Sequence, residues 1–254
     1  MAFLHVGGHR LDIHQIAGAD ATAPTIVFLH EGLGCISLWR DFPDRVVAAT
    51  GCSALVYSRY GYGHSDPIQA PRAPDFMHRE ALDTLPDLLD QLGIDNPILF
   101  GHSDGGSIAL IHAGTSGRAL PGVIVMAPHV LVEDLSIRSI EAARVAYETT
   151  DLRAKLGRHH DDPDSAFRGW NDIWLHPDFR NWNIESCLAG IACPVLAMQG
   201  VDDKYGTLGQ IHRIAHGAPG TELLEISDCR HAPHRDQPDA VIEAAARFVA
   251  RCRS

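Results

Sequence analysis

The chain has 254 residues, 45% of them hydrophobic and 21% charged, which suits one domain with a sizeable core. Its formal net charge of −11 argues against a partner that is a polyanion, whether nucleic acid or an anionic membrane. No apolar stretch approaches the ~20 residues needed to span a bilayer, the opening MAFLHVGGHRLDIHQI lacks a basic leader followed by an apolar run, and six cysteines are scattered without a paired motif. A cytoplasmic protein with reduced thiols is the expectation.

In chain order, residues 3–6 and 10–16 flank Gly7-Gly8 and predict a hairpin at an antiparallel sheet edge. Apolar runs rich in β-branched residues follow at 25–29, 54–57, 97–100, 123–126, 194–198 and 223–226. Continuous runs of this kind suit strands buried on both faces of a parallel sheet. Helical spacing lies between most of them. Residues 75–92 carry Phe76, Leu82, Leu85, Leu88, Leu89 and Leu92, and 238–252 place Val241, Ala244, Ala245, Phe248 and Val249 on one side behind Pro238. Repeated strand and helix predict an α/β fold, doubly wound about a mostly parallel sheet.

The rhythm breaks between 130 and 187. Helical patterns at 137–147 and 166–175 alternate there with polar segments such as His159-His160-Asp161-Asp162-Pro163-Asp164, and no strand-like run appears. The expected organisation is a core of residues 1–129 and 188–254, with 130–187 inserted as a helical cap holding Phe167, Trp170, Trp174, Phe179 and Trp182. The His159–His160 run reads as a polar loop of that cap.

Gly101-His102-Ser103-Asp104-Gly105-Gly106 falls between the predicted strand 97–100 and a predicted helix containing Ile108, Ala109 and Ile111. A serine in that turn has an exposed hydroxyl, and flanking glycines remove side chains that would strike strand and helix. Ser103 is therefore the candidate nucleophile. Two more loops follow predicted strands: His30-Glu31-Gly32-Leu33-Gly34, and Arg59-Tyr60-Gly61-Tyr62-Gly63-His64-Ser65-Asp66-Pro67.

Through these motifs the chain resembles the α/β-hydrolase superfamily over nearly its whole length. The resemblance implies a serine, acid and histidine triad in that chain order. It assigns the base to His231, in the loop after 223–226, with His234 as competitor. It assigns the orienting acid to Asp203, after 194–198, with Asp202 as its neighbouring alternative and Glu133 or Asp134 as a remoter one. Backbone N–H groups of Gly32, with Leu33 second, and of Asp104 are expected to form the oxyanion hole.

Glu31 and Asp104 depart from the usual superfamily pattern. Two carboxylates facing a developing oxyanion oppose catalysis, so both are expected to turn away and to be neutralised by Arg59. Leu33, His129, Trp170 and Trp174 are candidate substrate contacts, the two tryptophans serving the pocket or the packing of the cap. His212 and His216 stand four apart on a predicted helix, a spacing that can hold zinc, but no third ligand accompanies them; neither metal nor cofactor is expected.

The expected activity is hydrolysis of a carboxylic ester, thioester or lactone of a small, hydrophobic molecule. Alternatives are a carbon–carbon bond hydrolase of aromatic ring-cleavage products, disfavoured by Ala232 beside His231, and a small-molecule binding protein on the same fold. Oligomeric state is left open.

Overall fold

Eight strands form one sheet in the computed structural model, which describes residues 2–253. The first two, β1 (Ala2–Val6) and β2 (His9–Ile16), pair antiparallel with Val6 opposite His9. Gly7 and Gly8 close the turn at φ values of 56° and 84°. Only glycine takes two such conformations in succession without strain, which is why the hairpin can be this tight. β2 then pairs antiparallel with β4 (Ala54–Tyr57). The remaining strands, β3 (Ile26–Leu29), β5 (Ile98–His102), β6 (Gly122–Met126), β7 (Val195–Gly200) and β8 (Thr221–Ile226), run parallel, and the order across the sheet is β1-β2-β4-β3-β5-β6-β7-β8.

β3 to β7 are buried throughout, as their continuous apolar runs require. β8 departs from the expectation. It is an edge strand in which only Ile226 is buried and Leu223 is exposed. On one face of the sheet lie α1 (Phe42–Thr50) and, at the chain's end, α11 (Pro238–Cys252), packed against Phe28, Phe100 and Leu196. Across the other face run α2 (Phe76–Arg79), α3 (Leu85–Gln91) and α4 (Asp104–Thr115). The single helix expected over 75–92 is broken by a π turn at Glu80–Thr84. Pro86 has no N–H to donate and its ring crowds the carbonyl four residues back, so the preceding turn widens.

Between β6 and β7 come α5 (Asp134–Thr149), α6 (Leu152–Leu156), α7 (Pro163–Trp174) and α8 (Glu185–Leu188). The segment leaves and rejoins the core at one place: Leu131 bridges Asn183, and the N–H of Ile184 donates to the carbonyl of Val130 at 2.8 Å. Inside it, Tyr147 of α5 stacks on Phe167 of α7 with ring centres 3.8 Å apart, and Asn171 Nδ2 donates to the Ile140 carbonyl. α9 (Gly209–Gly217) follows β7, and short α10 (Pro233–Asp236) precedes α11. All six cysteines are free, and among the described residues no helix is long and apolar enough to cross a membrane.

Candidate active site

The parallel strands all deliver their C-terminal ends to one edge of the sheet, where a doubly wound fold collects its chemistry. At the end of β5, Ser103 sits at φ 52°, ψ −118°, a strained conformation for a residue with a side chain. The turn is this sharp because its neighbours are glycine. A Cβ on Gly101 would lie 2.3 Å from the Gly105 carbonyl oxygen, and one on Gly105 would lie 2.0 Å from that of Leu29. α4 starts at the next residue, so its N-terminal dipole faces the serine.

Ser103 Oγ lies 3.0 Å from His231 Nε2, and His231 Nδ1 lies 2.9 Å from both carboxylate oxygens of Asp203. An ionised carboxylate at Nδ1 fixes the tautomer with the proton there. Nε2 is left as the acceptor for the serine hydroxyl. Asp203 also accepts from Gln199 Nε2 at 3.0 Å and from the Tyr205 N–H at 2.8 Å. Burial pushes its pKa up, but the hydrogen bond and charge of His231 outweigh that, and the net shift is down.

The competing residues lie elsewhere. Asp202 is exposed, Glu133 accepts from Thr207, and Asp134 pairs with Arg180. His234 packs among Trp39, Phe42 and His102. Burial holds its pKa at about 3, so it is a neutral packing residue.

The Glu31 carbonyl accepts from His30 Nδ1 at 2.7 Å and from Arg59 Nη2 at 3.0 Å. Because a trans peptide is planar with its C=O and N–H opposed, pinning that oxygen also aims the N–H of Gly32 the other way. Among the described residues, no protein acceptor takes the N–H of Gly32, Leu33 or Asp104. His30 is itself held by the Arg59 N–H, which donates to its Nε2 at 2.9 Å.

A cavity of about 120 Å³ opens over Ser103, walled by Leu33, His129, Ile140, Trp170, Trp174 and Tyr205. It unites all four of the expected substrate contacts. Trp170 approaches so closely that a Cβ on Gly32 would sit 2.2 Å from its indole, and Trp174 Nε1 donates to Asp104 Oδ1 at 3.2 Å. The tryptophans therefore pack α7 on the core and shape the cavity at once. Tyr205 and Ile140 were not anticipated. Tyr205 stands two residues past the acid, in the loop that places it over His231 at a ring separation of 4.7 Å. A larger cleft of about 400 Å³ between residues 68–72 and α7 contains none of the serine, histidine or acid above.

The two unusual carboxylates resolve differently. Asp104 Oδ2 stands 3.9 Å from Arg59 Nη2, with both side chains almost fully buried. The pair is loose, and burial raises the Asp104 pKa despite the attraction of Arg59. For Glu31 the expected pairing is wrong: Arg59 holds only its carbonyl. Its carboxylate instead meets His102 Nδ1 at 3.3 Å, and His102 Nε2 lies 2.6 Å from the carbonyl oxygen of His231. Both His102 nitrogens thus face oxygen acceptors, one of them the Glu31 carboxylate. Burial pushes the Glu31 pKa up, yet the hydrogen bond and charge of His102 bring it well below the ordinary value.

A depressed carboxylate pKa gives stability that is present above the unfolded value, ~4.3, and is lost as pH falls through the folded one. Glu31→Gln is accordingly expected to destabilise the fold by about 1–3 kcal/mol at pH 7. The difference from wild type should shrink below about pH 4. Urea unfolding at the two pH values measures both.

The His159–His160 run lies in a loop with Asp161 and Asp162 exposed, but His160 is buried and ties the loop to the site: its Nδ1 accepts from the Gly63 N–H at 2.9 Å and its Nε2 donates to the Leu33 carbonyl at 3.1 Å. Burial lowers the His160 pKa to about 4, keeping the ring neutral for this double role. His212 pairs with Glu225, and among the described residues no group of His, Cys, Asp and Glu is arranged to hold a metal.

Comparison with known proteins agrees with the architecture. The family model described as alpha/beta hydrolase family matches residues 26–244. The chain is 33% identical over 272 residues to the mouse sn-1-specific diacylglycerol lipase ABHD11, an alignment covering 93% of this chain and 84% of the relative. It is 24% identical over 280 residues to the 2-hydroxy-6-oxononadienedioate/2-hydroxy-6-oxononatrienedioate hydrolase of Klebsiella pneumoniae, covering 98% and 95%. The crystal structure of an enol-lactonase from Burkholderia xenovorans has the same fold, with a TM-score of 0.76 at 20% identity over 98% of this chain and 100% of that one.

Proposed function

The chain belongs to the alpha/beta hydrolase family, and we propose that it is a serine hydrolase cleaving a small carboxylic ester, thioester or lactone through an acyl-serine intermediate. The observation that carries this reading is the hydrogen-bonded line from Ser103 Oγ through His231 to Asp203. In it, Ser103 Oγ attacks the carbonyl carbon while His231 Nε2 takes the hydroxyl proton. Negative charge moves to the carbonyl oxygen, where the N–H groups of Gly32 and Asp104 receive it. Such a donor is typically worth about 10²–10³ in rate. The carbon–oxygen or carbon–sulfur bond to the leaving group then breaks, and His231 returns the proton to it. A water deprotonated by His231 attacks the acyl-serine, the acid departs, and Ser103 regains its proton. These steps need no cofactor, and a diffusible small molecule is the only partner they require.

The helical segment 130–187 serves in this reading as the cap, with Trp170 and Trp174 closing the cavity. About 120 Å³ is close to the ~150 Å³ that accepts a benzene-sized guest, so an acyl group of roughly six non-hydrogen atoms or fewer is favoured. Glu31 and Asp104 border the cavity, while no Lys or Arg lines it, which favours an uncharged acyl group. Both points weigh against a long dicarboxylate of the kind named for the Klebsiella relative, and so against the carbon–carbon hydrolase alternative.

Across p-nitrophenyl esters from acetate to decanoate, kcat/KM is expected to peak between two and five acyl carbons and to fall at least tenfold by octanoate, since each misfitted methylene is worth ~1–3 kcal/mol. If no ester is turned over, the binding-protein alternative takes the place of this reading.

A further inference from the structure

His129 opens the chain segment that leaves β6 for the inserted helices. Its main chain is fixed by Ser107 Oγ, which accepts from its N–H at 3.1 Å and donates to its carbonyl at 2.6 Å. The ring stands edge-on to Trp174, with centres 4.9 Å apart, and 5.9 Å from the ring of His231. It walls the cavity over Ser103, the residue is 2% exposed, and its Nδ1 is sealed from solvent without a hydrogen-bond partner. Burial, aided by the nearby charge of His231, lowers its pKa to about 3. The ring is therefore neutral at any pH where esters are assayed, with one N–H to give and one lone pair to accept.

Leaving such a group unpaired costs free energy that a phenylalanine or leucine in the same packing would not. Beside it, Ser103 and His231 have each other, Asp104 accepts from Trp174 at Oδ1 and has only its loose ion pair with Arg59 at Oδ2, and Glu31 has His102. The imidazole thus has no protein hydrogen-bond partner at Nδ1 in a cavity whose other walls are Leu33, Ile140, Trp170, Trp174 and Tyr205, with Glu31 and Asp104 at its border.

We propose that His129 is a specificity-determining residue that hydrogen-bonds an oxygen substituent of the acyl group, so that the substrates are esters, thioesters or lactones of small, uncharged hydroxy or oxo acids. The inference rests on the serine-hydrolase reading above. A hydroxyl or ketone suits a neutral imidazole because either nitrogen role can be met. A carboxylate does not, because no Lys or Arg lines the cavity to receive its charge. With its ring 5.9 Å from that of His231, His129 reaches substituents close to the reacting carbonyl, and the second and third acyl carbons are the positions to test.

The test compares kcat/KM for matched ethyl esters, propionate with lactate and butyrate with 3-hydroxybutyrate and acetoacetate, each divided by its rate of alkaline hydrolysis. Wild type is expected to favour the oxygenated member of each pair by at least about tenfold, the worth of one hydrogen bond in a dry site. His129→Phe keeps the ring packing and removes both nitrogens, and should bring the ratio within about twofold of unity. The ratio is the readout, whatever happens to the individual rates.

His129→Asn, which restores a donor and acceptor near Nδ1, should recover part of the preference and stands in if the phenylalanine variant does not fold. Equal rates in wild type, or a preference that survives in the phenylalanine variant, overturns the proposal while leaving the hydrolase reading intact. Turnover of none of these esters, nor of the p-nitrophenyl series, sinks the hydrolase reading and this proposal with it.

Discussion

Ser103→Ala is expected to lower kcat/KM for a short ester by about 10⁴- to 10⁶-fold, the range seen when one member of a cooperating triad is removed. The loss should lie almost wholly in kcat, because the cavity walls that bind the acyl group are untouched. Fold and stability should stay within about 0.5 kcal/mol of wild type. The serine side chain makes one hydrogen bond, to His231, and the strained turn is imposed by the close passage of Gly101 and Gly105 rather than by the hydroxyl. A loss below a hundredfold, with the fold intact, would show that some other group attacks the substrate.

The second large effect is expected at Asp203. Asp203→Asn should cost about 10⁴ in kcat, because an amide presents its NH₂ to Nδ1, favours the tautomer protonated at Nε2 and leaves nothing to receive the serine proton. Its neighbour provides the control. Asp202 is exposed and its N–H is spent on the Cys229 carbonyl, so Asp202→Asn should change kcat less than about threefold. Because the folded state lowers the Asp203 pKa, the stabilisation from its ionised form is complete above ordinary carboxylate pKa values. It fades as pH falls through the folded value. Steady-state kinetics on the two variants, with unfolding curves at pH 7, checks the pair; equal losses would mean the wrong carboxylate has been assigned to His231.

Much of this arrangement was legible in the sequence because buried parallel strands and glycine turns write themselves locally. The apolar runs located β3 to β7 within a residue or two, and the Gly-x-Ser-x-Gly spacing located the elbow, since both depend on neighbours along the chain. The run 223–226 reads as a buried strand because an apolar residue such as Leu223 carries no mark of whether a neighbour will cover it, yet it lies at the sheet edge. The π turn before Pro86 is masked by the helical periodicity around it.

The larger omissions are long-range hydrogen bonds. Nothing near Glu31 in sequence announces His102, 71 residues away, and Arg59 was favoured as its partner on charge alone. Likewise His160 reads as part of a hydrophilic run, and its two bonds to Gly63 and Leu33 become visible only when the inserted segment is folded back over the site. One signal was available for Tyr205, whose place two residues beyond Asp203 puts it in the same loop as the acid.

Covalent labelling tests whether Ser103 is an activated nucleophile without knowledge of the substrate. Wild-type protein treated with a fluorophosphonate and weighed intact should gain one adduct, mapping to the peptide that contains Ser103. Ser103→Ala should gain none under the same conditions. Absence of labelling in folded wild-type protein, or an adduct that persists in Ser103→Ala, would contradict the assignment of Ser103, His231 and Asp203 as a working triad.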